Sequence, residues 1–185
     1  LVERELSATR MKAWCGAGNV TVEVADVEVS DAVRLGDEGL LEEIDHSMLP
    51  AAPDGTSAAD DFIDGALQDC AVANIVWSTV FAYNKDNNAT APDSIDDFFN
   101  TADFPGKRGL RKSAKATLEM ALMADGVPAG EVYEVLDPDE AVARAFAKLD
   151  EIKADIAWWE AGAQPPPLLS DGEVASATAS DARVV

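Results

Sequence analysis

Two adjacent tryptophans followed by an acid form the first group of residues whose types suit ligand binding. Trp158, Trp159 and Glu160 stand in this order, and Gln164 follows in the same segment. A carboxylate attracts a cation, and an aromatic face adds a cation–π attraction. Side chains alternate along a strand, so one indole is expected beside the acid and the other on the opposite side. Trp159, Glu160 and Gln164 are therefore candidate ligand contacts; the alternatives are core indoles and a surface glutamine.

A second acidic group follows an alternating segment. Residues 20–29 alternate apolar with polar or acidic types and contain many β-branched residues, which predicts a strand. Glu28, Ser30 and Asp31 lie at the end of this strand, where α/β folds place their ligands, and we consider them candidate ligand contacts. Ser30 or Asp31 alternatively caps a short helix that follows.

Catalysis and cofactor binding have little support in the residue pattern. The single histidine, His46, lies between Asp45 and Ser47, and neighbours in sequence do not face one another productively on a strand or helix. No glycine-rich phosphate loop or paired Cys-x-x-Cys occurs. We therefore expect no catalytic residue, no metal ligand and no cofactor.

The charge balance indicates the class of partner. The chain has 14 Lys and Arg against 35 Asp and Glu, a formal net charge of −21. This charge argues against a duplex nucleic-acid binder, whose phosphate affinity needs clustered basic residues. A cationic ligand or basic partner fits better, with a solubilising surface as the alternative.

Membrane and redox signals are few. No apolar run approaches the roughly 18 residues that a membrane span requires, and the first residues lack the pattern of a signal peptide. Cys15 and Cys70 are either a disulfide or two buried thiols.

The elements that position these residues alternate between strands and helices, which predicts the α/β class. The predicted helices cover residues 3–15, 94–100, 114–125 and 139–153, with short ones after residue 30 and at 168–169. Strands are predicted at 20–29, 74–84, 107–112, 156–159 and weakly at 173–174, and 50–60 is predicted to be a loop. The stretch 74–84 is the most apolar and is expected to be buried.

Four stretches together resemble the bacterial periplasmic spermidine/putrescine-binding proteins, the family 1 extracellular solute-binding components of ABC transporters. They are DEGLLEEID at 37–45, VWSTVFAYN at 76–84, FPGKRGLR at 104–111 and WWEAGAQPP at 158–166. The resemblance implies a type II periplasmic-binding-protein-like fold with two α/β lobes, both incomplete in this chain. It implies a partial lobe one at residues 1–82, a crossing strand at 74–84 and a partial lobe two at 85–185.

The resemblance also implies a function. Such a protein captures a polyamine or similar small cation between its lobes, in the periplasm, and delivers it to the membrane permease of an ABC transporter. The resemblance also adds Trp77, Ser78 and Thr79, on the crossing strand, to the candidate ligand contacts. Trp77 alternatively packs in the core. Ser113, in the turn before the helix at 114, is a further candidate.

Two departures from the family pattern bear on the ligand. The turn around Ser113 contains Arg111 and Lys112, where polyamine binders carry acids, so a ligand with an anionic part is an alternative. Ser180 and Asp181 stand where the family has an aromatic residue followed by Asn-Gly. The resemblance also implies that relatives often carry a cysteine near Gly36 that could pair with one at the position of Cys70; in this chain Cys15 would have to be the partner.

Two alternatives to ligand delivery remain. One is an effector-binding sensor domain of the same fold. The other is a truncated, non-binding chain that forms homo-oligomers through exposed apolar surface.

Overall fold

The chain divides into two compact units, residues 1–76 and residues 77–185. The computed structural model describes residues 2–3, 8–18, 20, 22–86, 90–137 and 139–183. Within these ranges, no helix combines the length and the apolar character needed to cross a membrane. The assignment of residues 1–82 and 85–185 to two lobes, with a crossing strand at 74–84, stays a prediction.

The first unit consists of short elements around a small core. Met11 and Leu35 are buried there, and Trp14, Cys15 and Leu40 pack against them. The strands pair β1 with β2 in parallel and β3 with β4 antiparallel. The elements are β1 (Val2–Glu3), α1 (Ala8–Gly16), β2 (Val24–Ala25), α2 (Val29–Asp37), α3 (Ala58–Asp61), β3 (Leu67–Gln68) and β4 (Ala71–Val72).

Three predictions in this unit meet different outcomes. Helix α1 confirms residues 8–15 of the helix predicted at 3–15, whereas Glu3 lies in β1 and residues 4–7 lie outside the described ranges. The strand predicted at 20–29 is wrong for most of its length, because only Val24–Ala25 pairs and α2 already begins at Val29. Residues 19 and 21 of that segment also lie outside the described ranges. The loop predicted at 50–60 is wrong from Ala58 on, where the first turn of α3 forms.

The short β2 has a physical cause. Among the described residues, β2 pairs with β1 at two positions, and Val24 remains 59% exposed. Alternation alone therefore does not extend a strand that lacks a neighbour to cover its apolar face.

Both cysteines of the first unit are free thiols. A Cβ atom added at Gly36 would lie 3.3 Å from Cys70 Sγ, so position 36 faces Cys70. Burial, followed by the negative charges of Glu43 and Asp69, raises the pKa of the Cys70 thiol. A raised pKa keeps the thiol protonated and unreactive at neutral pH.

The second unit is a four-stranded mixed sheet with helices packed against it. The strand order is β5-β8-β6-β7, with β8, β6 and β7 mutually parallel where they pair and β5 antiparallel to β8. The elements are β5 (Thr79–Tyr83), α4 (Ile95–Phe99), β6 (Arg108–Arg111), α5 (Thr117–Ala124), α6 (Val132–Leu136), α7 (Asp139–Ile152), β7 (Ile156–Trp159), α8 (Pro165–Ser170) and β8 (Ser176–Ser180).

The main core of this unit lies between the sheet and helices α4 to α7. It contains Phe98, Leu110, Leu122, Ala145 and Leu149 among its buried residues. Strands β6 and β7 and helices α4, α5 and α7 confirm the elements predicted from periodicity. The five-residue α6 was not predicted, and Phe146 of α7 is exposed.

The strand β8 lies at a position that the sequence did not predict. A weak strand was expected at 173–174, whereas Ser176–Ser180 forms the strand between β5 and β6. Its serines, alanines and threonine have mostly low strand propensity, but the space beside β6 is narrow. A Cβ atom added at Gly109 would lie 2.7 Å from the Cβ of Ala177. Small side chains are therefore required where these strands meet.

Two further expectations are corrected in this unit. The short helix predicted at 168–169 begins earlier, because the three prolines at 165–167 form the start of α8, where an absent N–H costs nothing. The buried strand predicted at 74–84 is shortened to Thr79–Tyr83, and Ile75, Val76 and Trp77 are exposed. Residues 73–78 have no regular secondary structure because no strand in the described ranges pairs with them.

A buried arginine fixes the loop that leads into β6. The Arg108 side chain is fully buried and donates to the carbonyl oxygens of Phe98 (2.6 Å), Gly106 (2.5 Å), Asn100 (3.1 Å) and Phe104 (2.5 Å). Burial lowers the pKa of its guanidinium, and the charge of Asp155 opposes this. Arg108 thereby ties α4 and the 100–106 loop to the first residue of β6.

Candidate functional site

The sheet of the second unit collects most of the predicted ligand contacts along one edge. Strands β6, β7 and β8 run in the same direction, so their carboxyl ends, at Arg111, Trp159 and Ser180, lie on the same edge. The antiparallel β5 begins at this edge with Thr79. In open α/β sheets, ligands bind outside the carboxyl ends of the strands. This carboxyl edge is the candidate functional site.

A basic turn leaves the edge after β6. The backbone N–H of Lys112 donates to the Trp159 carbonyl (2.8 Å), and that of Ser113 donates to the Arg111 carbonyl (2.8 Å). The half-buried Ser113 accepts from the Lys115 N–H (3.3 Å) through its Oγ. Its hydroxyl is therefore engaged within the turn, and the predicted ligand contact of Ser113 stays a prediction.

The same turn contains a left-handed alanine. Ala116 has φ of 63° and immediately precedes α5. Left-handed backbone is unfavourable for residues other than glycine. The hydroxyl of Thr117 donates to the Arg111 carbonyl (3.1 Å), which ties the first residue of α5 back to the end of β6.

An ion pair connects the ends of β6 and β7. Lys112 Nζ lies 3.2 Å from Glu160 Oε1, and the two side chains are 67% and 73% exposed. The sequence identified each charge separately, but the parallel pairing of Arg111 with Trp159 is what brings them together.

The two tryptophans of β7 point to opposite sides, as alternation predicted. Trp158 is 47% exposed, whereas Trp159 is only 5% exposed. The exposed indole is therefore Trp158, and not the Trp159 that was selected as a contact. Trp159 Nε1 is buried and has no hydrogen-bond partner within the described ranges. The ligand contact of Trp159 stays a prediction.

Gln164 organises the loop after β7. Its Oε1 accepts from the backbone N–H of Glu160 (2.8 Å) and of Ala161 (2.7 Å). These two bonds fix the backbone of Glu160 while its carboxylate extends into solvent. The expected bond from Gln164 to an amine stays a prediction.

The start of β5 joins the edge through β8. Ser78 and Asp181 exchange two bonds: the Ser78 N–H donates to Asp181 Oδ1 (3.3 Å), and the Asp181 N–H donates to the Ser78 carbonyl (3.0 Å). Ser78 and Thr79 are exposed, and Trp77 beside them is 40% exposed. The structure thus brings these candidates to the same edge as Glu160, and their ligand contacts stay predictions.

The remaining candidates lie in the first unit, in the first turn of α2. Glu28 occupies the N-cap position without a side-chain capping bond, so the caps predicted at Ser30 or Asp31 are wrong. Asp31 pairs with Arg34 (2.9 Å) one turn later, and Ser30 is exposed. These three residues are neighbours on α2, and their role in ligand binding stays a prediction.

His46 is engaged within the first unit. Its Nε2 lies 3.0 Å from the Gln68 carbonyl oxygen. Across the described ranges, His, Cys, Asp and Glu side chains form no group of three or more that is arranged to hold a metal ion.

Three residues that the structure places at or beside the edge are not among the predicted polyamine contacts. These are Lys112 as the partner of Glu160, Asp181 as the partner of Ser78, and the exposed Trp158. Their residue types were visible, but their neighbours depend on strand order.

Comparison with known proteins identifies the family. The family model described as "Bacterial extracellular solute-binding protein" matches residues 7–185. A gamma-aminobutyric acid-binding protein of Pseudomonas aeruginosa is 47% identical over 175 residues, which is 95% of this chain and 48% of that protein.

Solved structures agree with this assignment. The PBP MotA from A. tumefaciens B6, in complex with glucopine, has a TM-score of 0.86 at 32% identity, over 96% of this chain and 53% of that one. The Atu4243-GABA receptor has a TM-score of 0.77 at 36% identity, over 99% of this chain and 53% of that one. These matches confirm the predicted periplasmic-binding-protein-like fold of mixed α/β type.

The chain spans about half the length of the relatives it matches. Their names specify gamma-aminobutyric acid (GABA) or glucopine, and none of the three names a polyamine. The chain belongs to the bacterial extracellular solute-binding protein family.

Proposed function

We propose that this chain is part of the periplasmic solute-binding component of an ABC transporter, and that its ligand is a small amino acid with separated charges, such as GABA. The ligand binds at the carboxyl edge of the sheet in residues 77–185 and is delivered to a membrane permease. A polyamine, the ligand first expected, is the second candidate.

The single observation that carries the ligand class is the mixed charge of the carboxyl edge. Lys112 and Glu160 expose a cation and a carboxylate 3.2 Å apart, at the ends of adjacent parallel strands. An ammonium group suits the carboxylate, and a carboxylate suits the lysine. A polyamine has no group for Lys112, whereas an amino acid has one for each. The names of the relatives support the same class.

Calorimetric titration of this chain tests the proposal. GABA, putrescine and spermidine are titrated at about 0.15 M salt, where attraction to the overall negative charge is largely screened. We expect saturable heat with GABA, together with a higher melting temperature at saturating GABA. Magnesium ion and glycine serve as controls for charge alone and for a short amino acid.

Each contrary outcome has a definite meaning. Saturable heat from a polyamine but not from GABA would establish the polyamine as ligand and overturn the amino acid. Absence of heat and of thermal stabilisation with every ligand would contradict binding by this chain, although not its family.

A further inference from the structure

The charged side chains of Lys112 and Glu160 extend from backbone positions that are fixed by hydrogen bonds. The backbone N–H of Lys112 donates to the Trp159 carbonyl (2.8 Å), and the Glu160 N–H donates to Gln164 Oε1 (2.8 Å). Both backbones are therefore anchored, while both side chains are about two-thirds or more exposed. The pair combines fixed attachment points with charged ends that stay in water.

An exposed ion pair of this kind is easily exchanged. Surface pairs contribute little to stability, because solvent screens them and ordering two long side chains costs entropy. Lys112 and Glu160 can therefore separate at small cost and each bind an opposite charge on a ligand. Because the two charges cancel, the pair attracts a zwitterion at both ends but repels one end of a dication or a dianion.

The indole of Trp159 is a second feature at the end of β7. The backbone carbonyl of Trp159, the residue before Glu160, accepts from the Lys112 N–H. The indole Nε1 of Trp159 is buried and has no hydrogen-bond partner in the ranges that the structure describes. Buried N–H groups in native proteins are almost always hydrogen-bonded. The end of β7 thus retains a buried donor whose acceptor is not supplied by the described residues.

We propose that the Lys112–Glu160 pair determines specificity by charge: it opens to bind the carboxylate and ammonium of one ligand and selects zwitterions over dications and dianions of equal length. This inference rests on the proposed function. Lys112 binds the ligand carboxylate and Glu160 binds the ammonium.

Three ligands built on four carbon atoms test it. Putrescine is a dication, GABA a zwitterion and succinate a dianion, so they differ mainly in terminal charge. Calorimetric affinities are measured for the unmodified chain, Lys112→Gln, Glu160→Gln and the double variant. We expect each single substitution to weaken GABA binding about tenfold, the scale of one charge-assisted hydrogen bond.

The two single variants should differ in their preferences. Lys112→Gln removes the group that repels a second ammonium, so putrescine should gain relative to GABA. Glu160→Gln removes the group that repels a second carboxylate, so succinate should gain. The double variant should lose less affinity than the product of the two single losses, because each single change leaves one charge unpaired.

Lys153→Gln is the matched control. Lys153 is an exposed lysine paired with Asp150 (2.9 Å), and it precedes β7 at the opposite end from Glu160. Lys153→Gln makes the same change in net charge as Lys112→Gln. We expect it to change the affinity for any of the three ligands less than about twofold. Melting temperatures of all variants verify that each remains folded.

The outcomes separate this inference from the proposed function. If the unmodified chain binds none of the three ligands, the proposed function fails and the inference fails with it. If the unmodified chain binds GABA but the variants of the pair alter all three ligands equally, or no more than Lys153→Gln does, the inference alone is overturned.

Discussion

Arg108 shows how one residue gains its role from burial. In the sequence it belongs to a basic motif, where a surface charge or a phosphate contact would be an ordinary interpretation. In the fold its side chain is fully buried, and four backbone carbonyls accept from it. A planar guanidinium suits this arrangement because its donors point in several fixed directions. The motif is therefore structural at this position.

Replacing Arg108 with methionine should strongly destabilise the second unit. The change removes the guanidinium donors to the carbonyls of Phe98, Gly106 and Phe104 and leaves these acceptors without the arginine, whereas the Asn100 carbonyl keeps its bond from the Phe104 N–H. We expect a loss of about 3 kcal/mol in the free energy of unfolding, measured by urea denaturation.

Lys107→Met is the matched control, because Lys107 is the exposed neighbour of Arg108. It should change the free energy of unfolding by no more than about 0.5 kcal/mol. Equal effects of the two substitutions would contradict a special role for the buried guanidinium.

At the level of secondary-structure elements, the start of helix α4 is predictable from residues that are close in sequence. Ser94 Oγ accepts from the Asp97 N–H (3.1 Å), and Asp97 Oδ2 accepts from the Asp93 N–H (3.0 Å). These bonds occupy donors at the helix start that the helix itself leaves unpaired. Helix α4 was accordingly predicted in the right place, because its cap involves residues close in sequence.

The cap of α4 should make stability depend on pH. The bond from the Asp93 backbone, opposed by burial and aided by Ser94, lowers the pKa of Asp97 in the folded chain. A folded pKa below the unfolded value, about 3.9, stabilises the fold above that value. This stabilisation is lost as the pH falls through the folded pKa. Melting temperatures between about pH 6 and pH 3 should therefore fall less steeply for Asp97→Asn than for the unmodified chain.

Asp96→Asn provides the comparison, since it removes the same charge from the same helical turn without removing the cap. Its melting temperature should depend on pH more like that of the unmodified chain than like that of Asp97→Asn. Identical pH profiles for the two variants would attribute the effect to net charge instead of to the cap.

At the scale of the whole molecule, the chain consists of two compact units whose boundary follows Val76. Residues 73–78 at this boundary have no regular secondary structure, and Ile75, Val76 and Trp77 are exposed. Boundaries between compact units commonly lie in exposed segments that few contacts stabilise. The apolar pattern of residues 74–78 predicted a buried strand. No strand in the described ranges pairs with these residues, and Ile75, Val76 and Trp77 are exposed instead.

Limited digestion with chymotrypsin should cut first after Trp77. The protease requires an accessible aromatic residue in a segment that can unfold locally, and Trp77 meets both conditions. We expect fragments 1–77 and 78–185, identified by mass spectrometry.

Trp77→Ala should abolish this first cut. Tyr133 and Phe146 are also exposed but lie within helices, so they should be cut later. A first cut at either of them would contradict the position of the accessible boundary.

Local sequence patterns indicate the α/β class, the extracellular solute-binding family and most elements of the second unit. These depend on periodicity, on caps between nearby residues and on motifs such as the one containing Arg108. The sequence also identified acids, tryptophans and a basic turn as the groups with binding chemistry.

Which of these groups are neighbours follows from the three-dimensional fold. Lys112 and Glu160 are far apart in sequence and meet because β6 and β7 pair in parallel. Strand β8 has weak propensity and forms because small side chains fit between β5 and β6. Trp159 is buried and Trp158 is exposed because packing covers the face of β7 that carries Trp159. Contacts between distant segments depend on strand order and on the space between elements, which local sequence patterns do not encode.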